Sequence, residues 1–143
     1  MTQATDALHC EIITPERPLF SGEAASVVVP GPDGLIGVRP GHAPLLTELG
    51  VGVATVKPVA GSEGPTKQFA IREGFLQVVE NKVTVLAVSA AGREETSSAG
   101  QLDDEASSVE SNLRKPESDE AFEKLLRDRD WVAARRKMLN APN

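Results

Sequence analysis

A chain of 143 residues, 40% of them hydrophobic, can bury one core and carry a smaller appendage. Its net charge of −6 leaves no basic face for a phosphate backbone, and one Trp, four Phe and no Tyr supply few rings for stacking on nucleic acid or sugars. The first residues have neither the basic start nor the apolar run of a signal peptide, no stretch is long and apolar enough to insert in a membrane, and the lone Cys10 fits a reducing compartment, so the expected partners are proteins.

From Leu8 to about Ser89, short runs of Val, Ile, Leu and Thr are punctuated by Gly and Pro, the pattern of an all-β sandwich or barrel. Strands are expected near Leu8 to Thr14, Leu19 to Ser21, Ala25 to Val29, Leu35 to Val38, Leu45 to Leu49, Val51 to Pro58, Lys67 to Arg72, Phe75 to Glu80 and Lys82 to Ser89. Pro30-Gly31-Pro32-Asp33-Gly34 and Arg39-Pro40-Gly41-His42-Ala43-Pro44 read as two stiff corners, since proline fixes φ and glycine supplies the positive values that turns need. Asn81-Lys82 reads as a hairpin tip with Asn81 left-handed, and Ala60 to Pro65 as a longer, mobile one.

Residues 90–101 change to a polar, small-residue composition, which suggests a linker between a β domain over 1–89 and a helical region over 102–143. Leu102, Ala106, Val109 and Leu113 have helical spacing, with Asp103, Asp104 and Glu105 expected in the first turn; Pro116 ends this helix by about residue 115. Ser118 can cap a second helix running to about 139. On its wheel Phe122, Leu125, Leu126, Val132, Ala133 and Leu139 share the face that a helical hairpin would bury, and Trp131 and Met138 lie roughly opposite, free for another partner. Two such helices bury too little to stand alone, so the pair either leans on the β domain or is mobile. Basic Arg135, Arg136 and Lys137 near the end either complement the helix dipole or dock on an acidic surface.

No catalytic motif stands out. Gly31 to Gly37 is glycine-rich but lacks the Lys and Ser/Thr of a phosphate loop and precedes a strand. His9 and Cys10 are strand neighbours facing opposite ways and do not share a metal. His42 is the remaining acid/base candidate, and a lone histidine among prolines fits a hydrogen-bonding or interface role as well.

Several of these segments together resemble one known family. Ile13-Thr14-Pro15-Glu16, Leu19-Phe20-Ser21-Gly22-Glu23, the run from Gly34 to Leu46 with its Pro-Gly-His-Ala-Pro-Leu-Leu core, Gly74-Phe75-Leu76-Gln77-Val78 and Val83-Thr84-Val85-Leu86-Ala87 are similar, in order, to the epsilon subunit of the bacterial-type F-type rotary ATP synthase. The resemblance implies a ten-stranded β-sandwich followed by an α-helical hairpin. It also implies a non-catalytic rotor part of the central stalk, peripheral to the cytoplasmic face of the plasma membrane, which couples proton flow through the c-subunit ring, via gamma, to ATP synthesis. By position Asp33 matches the acidic residue that touches the c ring and His42 the histidine against gamma. Trp131, Arg135, Arg136, Lys137 and Met138 stand where a tail can dock on the alpha/beta head and slow ATP hydrolysis. Relatives bind regulatory ATP through Leu/Ile-Asp-x-x-Arg-Ala; here Ala106 occupies the arginine position, so no cofactor is expected. Asp130-Trp131 resembles the family's start of the second helix, whereas Pro116 argues for the register from Ser118. The competing reading is a free-standing β-sandwich adaptor for another protein.

Overall fold

The computed structural model describes residues 7–61, 64–93 and 99–140. Seven strands are followed by two helices: β1 (Leu8–Ile13), β2 (Pro18–Ala24), β3 (Ser26–Gly31), β4 (Gly34–Val38), β5 (Leu45–Lys57), β6 (Lys67–Val79), β7 (Lys82–Gly92), α1 (Ala99–Leu113) and α2 (Asp119–Asn140). The strands form one continuous sheet in the order β2-β1-β7-β6-β5-β3-β4, antiparallel throughout except for β1 beside β7.

The sheet closes on itself as a β-sandwich because its three long strands bend. In β6, Phe69 and Ile71 point into the core before the bend, and Leu76 and Val78 after it. A strand alternates with period two, so odd positions can hand over to even ones only if the backbone turns over between them. The turnover is at Glu73, with φ of 57°, and Gly74, with φ of 140°. β5 makes the same change between Leu49 and Ala54, passing Gly50, and β7 between Ala87 and Ala90. The pairing skips together at these points, from Leu49–Gly74 to Val51–Arg72 and from Gly74–Ala87 to Arg72–Ser89. Both halves thereby face one core, where Leu8, Cys10 and Ile12 meet Val27, Val29, Val38, Leu76 and Val85, and the Phe20 and Phe69 rings touch with centroids 5.8 Å apart.

The sandwich and helical hairpin are as expected; among the described residues the strands number seven because several expected as separate run on into one another. The segments expected to break at Gly50 and at Glu73-Gly74 are unbroken strands that serve both layers, and β7 continues to Gly92 through residues assigned to the linker. Of the expected mobile tip, Ser62 and Glu63 lie outside the described residues. α1 begins at Ala99, so Asp103, Asp104 and Glu105 fall beyond its first turn, and Asp103 and Glu105 pair with Arg136 and Arg135 of α2. In α2 the Ser118 hydroxyl accepts the Ala121 N–H at 3.0 Å, with Asp119 and Glu120 in the first turn.

Gly74 is where a side chain is least tolerable, because a Cβ there would collide with the Leu86 carbonyl oxygen, while Gly37 has open space around it. Gly74→Ala should lower unfolding stability by at least about 3 kcal/mol, combining positive-φ strain with a backbone clash. Gly37→Ala should stay within about 0.5 kcal/mol. Urea denaturation followed by circular dichroism measures both.

Candidate functional site

The two corners lie at opposite ends of β4. Asp33 is exposed at the tip of the β3–β4 hairpin, where Gly31 pairs with Gly34 and only Pro32 and Asp33 lie between. His42 follows the other end of β4, half-buried, its Nδ1 2.6 Å from the Ala43 carbonyl oxygen and its backbone N–H on the Arg39 carbonyl at 3.1 Å. Five strand residues separate the corners, about 17 Å at 3.4 Å per residue. The two side chains therefore serve separate contacts and not one reaction centre.

The His42 corner is braced from outside. Asn81, left-handed with φ of 63°, uses its side-chain oxygen to accept the Gly41 N–H at 2.8 Å and its carbonyl to accept the His9 N–H at 2.8 Å. One residue thus ties the hairpin between β6 and β7 to the start of β1 and to the loop carrying His42.

Beside this corner the outer face of the sheet is bare and apolar. Leu46 is 70% exposed and Phe75 50%, with Val79, Leu86 and Val88 also exposed. Phe75 pairs with Leu86 across β6 and β7, and Leu46 opposite Gln77 sits diagonally from both Phe75 and Val79. Side chains in those relations are within reach of one another. A contiguous apolar surface of this kind marks a contact with another molecule. The sequence pattern signalled these positions only as the alternate members of strands.

On the other half of the sheet the outer face is already covered. α2 lays Ala134, Met138 and Trp131 on Ala70 and Val53 of β6 and β5. Met138 is fully buried and Trp131 half-buried, so the face expected to be free for a partner is occupied by the protein's own sheet. The small Ala70 and Ala134 allow the close approach. The basic residues are engaged as well: Arg135 lies over the Trp131 ring at 5.0 Å and pairs with Glu105, and Arg136 pairs with Asp103 at 2.6 Å. Lys137 is exposed at the rim of a groove of about 390 Å³, which α2 forms with β3, β4 and β5. Neither Asp33 nor His42 lines that groove. Ala106 is half-buried on α1.

A second clamp holds α2 at the sheet's bend. Arg72 donates to Asp128 at 2.5 Å, and Arg127 and Glu73 form an ion pair at 3.0 Å, so the residues that turn β6 over also grip the helix. Burial works against the Asp128 charge, but the Arg72 hydrogen bond and charge, aided by Lys124, outweigh it and hold the carboxyl below its usual value of 3.8. Cys10, by contrast, is a neutral packing group: burial, with Glu11 adding, pushes its thiol up to about 12. Among the described residues no cluster of His, Cys, Asp or Glu could hold a metal, and no helix is long and apolar enough to cross a membrane.

Known proteins share this arrangement. Residues 7–93 match the β-sandwich domain of the ATP synthase delta/epsilon chain family. The chain is 44% identical over 85 residues to an ATP synthase epsilon chain of Pelotomaculum thermopropionicum, a match covering 59% of this chain and 60% of that one. It is 41% identical over 101 residues to the epsilon chain of Campylobacter fetus, covering 68% and 76%. In three dimensions it is similar, with a TM-score of 0.81 at 17% identity, to a chain in the OSCP/F1/c-ring structure of the Euglena gracilis mitochondrial ATP synthase, covering 97% of this chain and 85% of that one. At that identity the likeness speaks for the fold, and here it includes the helices.

Because the folded pKa of Asp128 is depressed, the stabilisation it gives the clamp is present above the usual carboxylate value and is lost as pH falls through the lower folded one. Trp131, the sole tryptophan, reports on docking. Its fluorescence should hold from neutral pH down to the usual carboxylate range and change below it, and Asp128→Asn should give the undocked signal at neutral pH in a larger fraction of molecules. An identical acid titration in the variant would remove Asp128 from the clamp.

Proposed function

The chain belongs to the ATP synthase delta/epsilon family, and on that premise we propose that it is a non-catalytic subunit of the central stalk, coupling rotation of the c-subunit ring through gamma to ATP synthesis in the head. The observation that carries this reading is the bare apolar face of Leu46, Phe75, Val79, Leu86 and Val88 beside the braced His42 corner. Its apolar, uncharged composition suits the centre of a protein interface, with His42 as a polar group at the rim. That face takes gamma. Asp33, at the far end of β4 on a proline-stiffened two-residue tip, takes a polar loop of the c ring.

The separation of the corners suits a coupling part. Torque passed from one partner to the other crosses β4 and the sheet behind it, whose backbone hydrogen bonds leave little slack. The chain sits on the enzyme as a peripheral component at the cytoplasmic face of the membrane, held there by its partners. The β region and the helical pair act as two units, the first for coupling and the second for control. In the docked state Trp131, Arg135, Arg136 and Met138 are engaged within the chain, so any brake on hydrolysis at the alpha/beta head requires the tail to leave the sheet first. No bound nucleotide is invoked for that step, with Ala106 in place of the arginine.

Leu46→Asp or Phe75→Asp should weaken binding to the cognate gamma-containing core by about tenfold or more, since each puts an unpaired charge at an apolar contact. Circular dichroism should be unchanged because both side chains are exposed in the free protein. Titration calorimetry or co-sedimentation measures the binding, and undiminished affinity in both variants would place gamma on another face. Cutting after Gln101 should leave that binding intact, and comparison of ATP hydrolysis with intact and cut protein tests the tail.

A further inference from the structure

A sheet that does not close into a barrel has two edges, and this one treats them differently. The β2 edge carries devices that discourage pairing: Pro18 opens the strand, the register with β1 shifts between Ile12 and Ile13, and Glu23 is exposed. The β4 edge carries none of these. Gly34-Leu35-Ile36-Gly37-Val38 has no charge and no proline, its pairing with β3 runs without a shift from Val27–Val38 to Gly31–Gly34, and it pairs on that side only. Its one defence is that it is short. Unblocked, apolar edges are templates for another strand.

The residues of β4 are also complementary to themselves. If a second copy pairs antiparallel with Ile36 opposite Ile36, then Leu35 of each copy stands opposite Gly37 of the other, and Asp33 opposite Arg39. Leu35 is 69% exposed, one of the most exposed large apolar side chains described. Gly37 has nothing within 4 Å of where a Cβ would be, which leaves room for that leucine. Asp33 and Arg39 are both exposed, and no ion pair links either to another side chain among the described residues. A two-fold axis through Ile36 therefore supplies two apolar contacts and two opposite-charge pairs at once, the isologous pattern of a symmetric dimer.

We propose that two copies of this chain associate through their β4 edges, in the register that opposes Asp33 to Arg39, to form a continuous sheet across both molecules. Five residues per copy bury little surface, so the dimer belongs to the weak class, with a dissociation constant of roughly 10 to 100 µM. The end charges contribute mainly register: an edge that slipped by two residues would lose both ion pairs and set Leu35 against a side chain. The pairing covers Asp33. On the reading of Asp33 as the ring-facing residue, and in this respect only, the dimer and the assembled stalk exclude one another, so self-pairing protects the edge in copies not yet assembled.

Sedimentation equilibrium of the full chain from about 1 to 500 µM tests this, since that range brackets the expected constant. The average mass should rise towards twice the monomer. Leu35→Lys should abolish the rise. Asp33→Arg and Arg39→Asp, each placing like charges opposite one another twice, should each weaken association by about tenfold, and the combined Asp33→Arg/Arg39→Asp variant should return to within about threefold of the starting protein. All these side chains are exposed, and circular dichroism confirms folding. A monomer at every concentration overturns the proposal, and so does a dimer indifferent to Leu35→Lys or not restored by the charge exchange. Failure to bind gamma would count against the stalk assignment while leaving this measurement intact.

Discussion

The turnover of the three long strands is the constraint on which the rest of this structure depends. A flat sheet of seven strands would present one apolar face and leave it half uncovered, because two helices cannot shield that area. By reversing the inward face at Gly50, at Glu73-Gly74 and beyond Ala87, the sheet folds onto itself and buries both halves against each other. The cost is concentrated where backbone is forced into positive φ and where β6 presses so closely on β7 that only glycine fits. Bends of this type increase local twist and re-aim the side chains beside them.

That re-aiming decides what each outer face can do. On one side of the bend, small residues such as Ala70 let α2 approach, and Arg72 and Glu73, displaced outward at the turnover, reach Asp128 and Arg127. On the other side, Phe75, Leu86 and Leu46 are left bare. Docking of α2 rests on few apolar groups: burying Met138 stabilises it by about 2 kcal/mol, and partly exposed ion pairs add about 1 kcal/mol or less each. An interface of that size closes in the free chain and opens when another surface offers more. The free chain therefore leaves one apolar face bare and covers the other with a helix held by few apolar groups.

Much of this was legible in the residues, and the parts that were not share a cause. The strand from Lys82 to Ser89, the left-handed Asn81 tip and the Ser118 cap are local features, set by side-chain type and turn chemistry, and local features can be read from a string. Gly50 and Gly74 read as strand ends because a glycine between two apolar runs has the same local signature whether it terminates a strand or turns it over; only the sheet behind it distinguishes the two. The tail shows the same limit. The helical wheel set Trp131 and Met138 apart from Val132 and Leu125, but it also put Phe122 and Ala133 on the face to be buried, where both are exposed. It could not say what covers Trp131 and Met138, because Ala70 and Val53 lie far away in the chain. The acids at 103 to 105 read as a first turn because the linker's polar composition hid three more helical residues before them. His42 stood out by its chemistry as the remaining acid/base candidate, whereas Asp33 drew attention only through the resemblance to a known pattern.

The stiffness of the two corners has different origins, and the difference bears on function. Asp33 is rigid through covalent geometry, since Pro32 beside it and the two-residue span from Gly31 to Gly34 leave the tip few conformations. His42 is rigid through a cross-brace, because Gly41 is held by Asn81 across forty residues of sequence. A tip fixed by its own turn keeps its shape whatever the rest of the sheet does. A contact fixed by the body of the sheet moves with that body, so a force applied at His42 passes directly through Asn81 into β6, β7 and β1. The two corners therefore differ in how a displacement spreads: at Asp33 it is confined to the turn, whereas at Gly41 and His42 it is passed into three strands of the sheet.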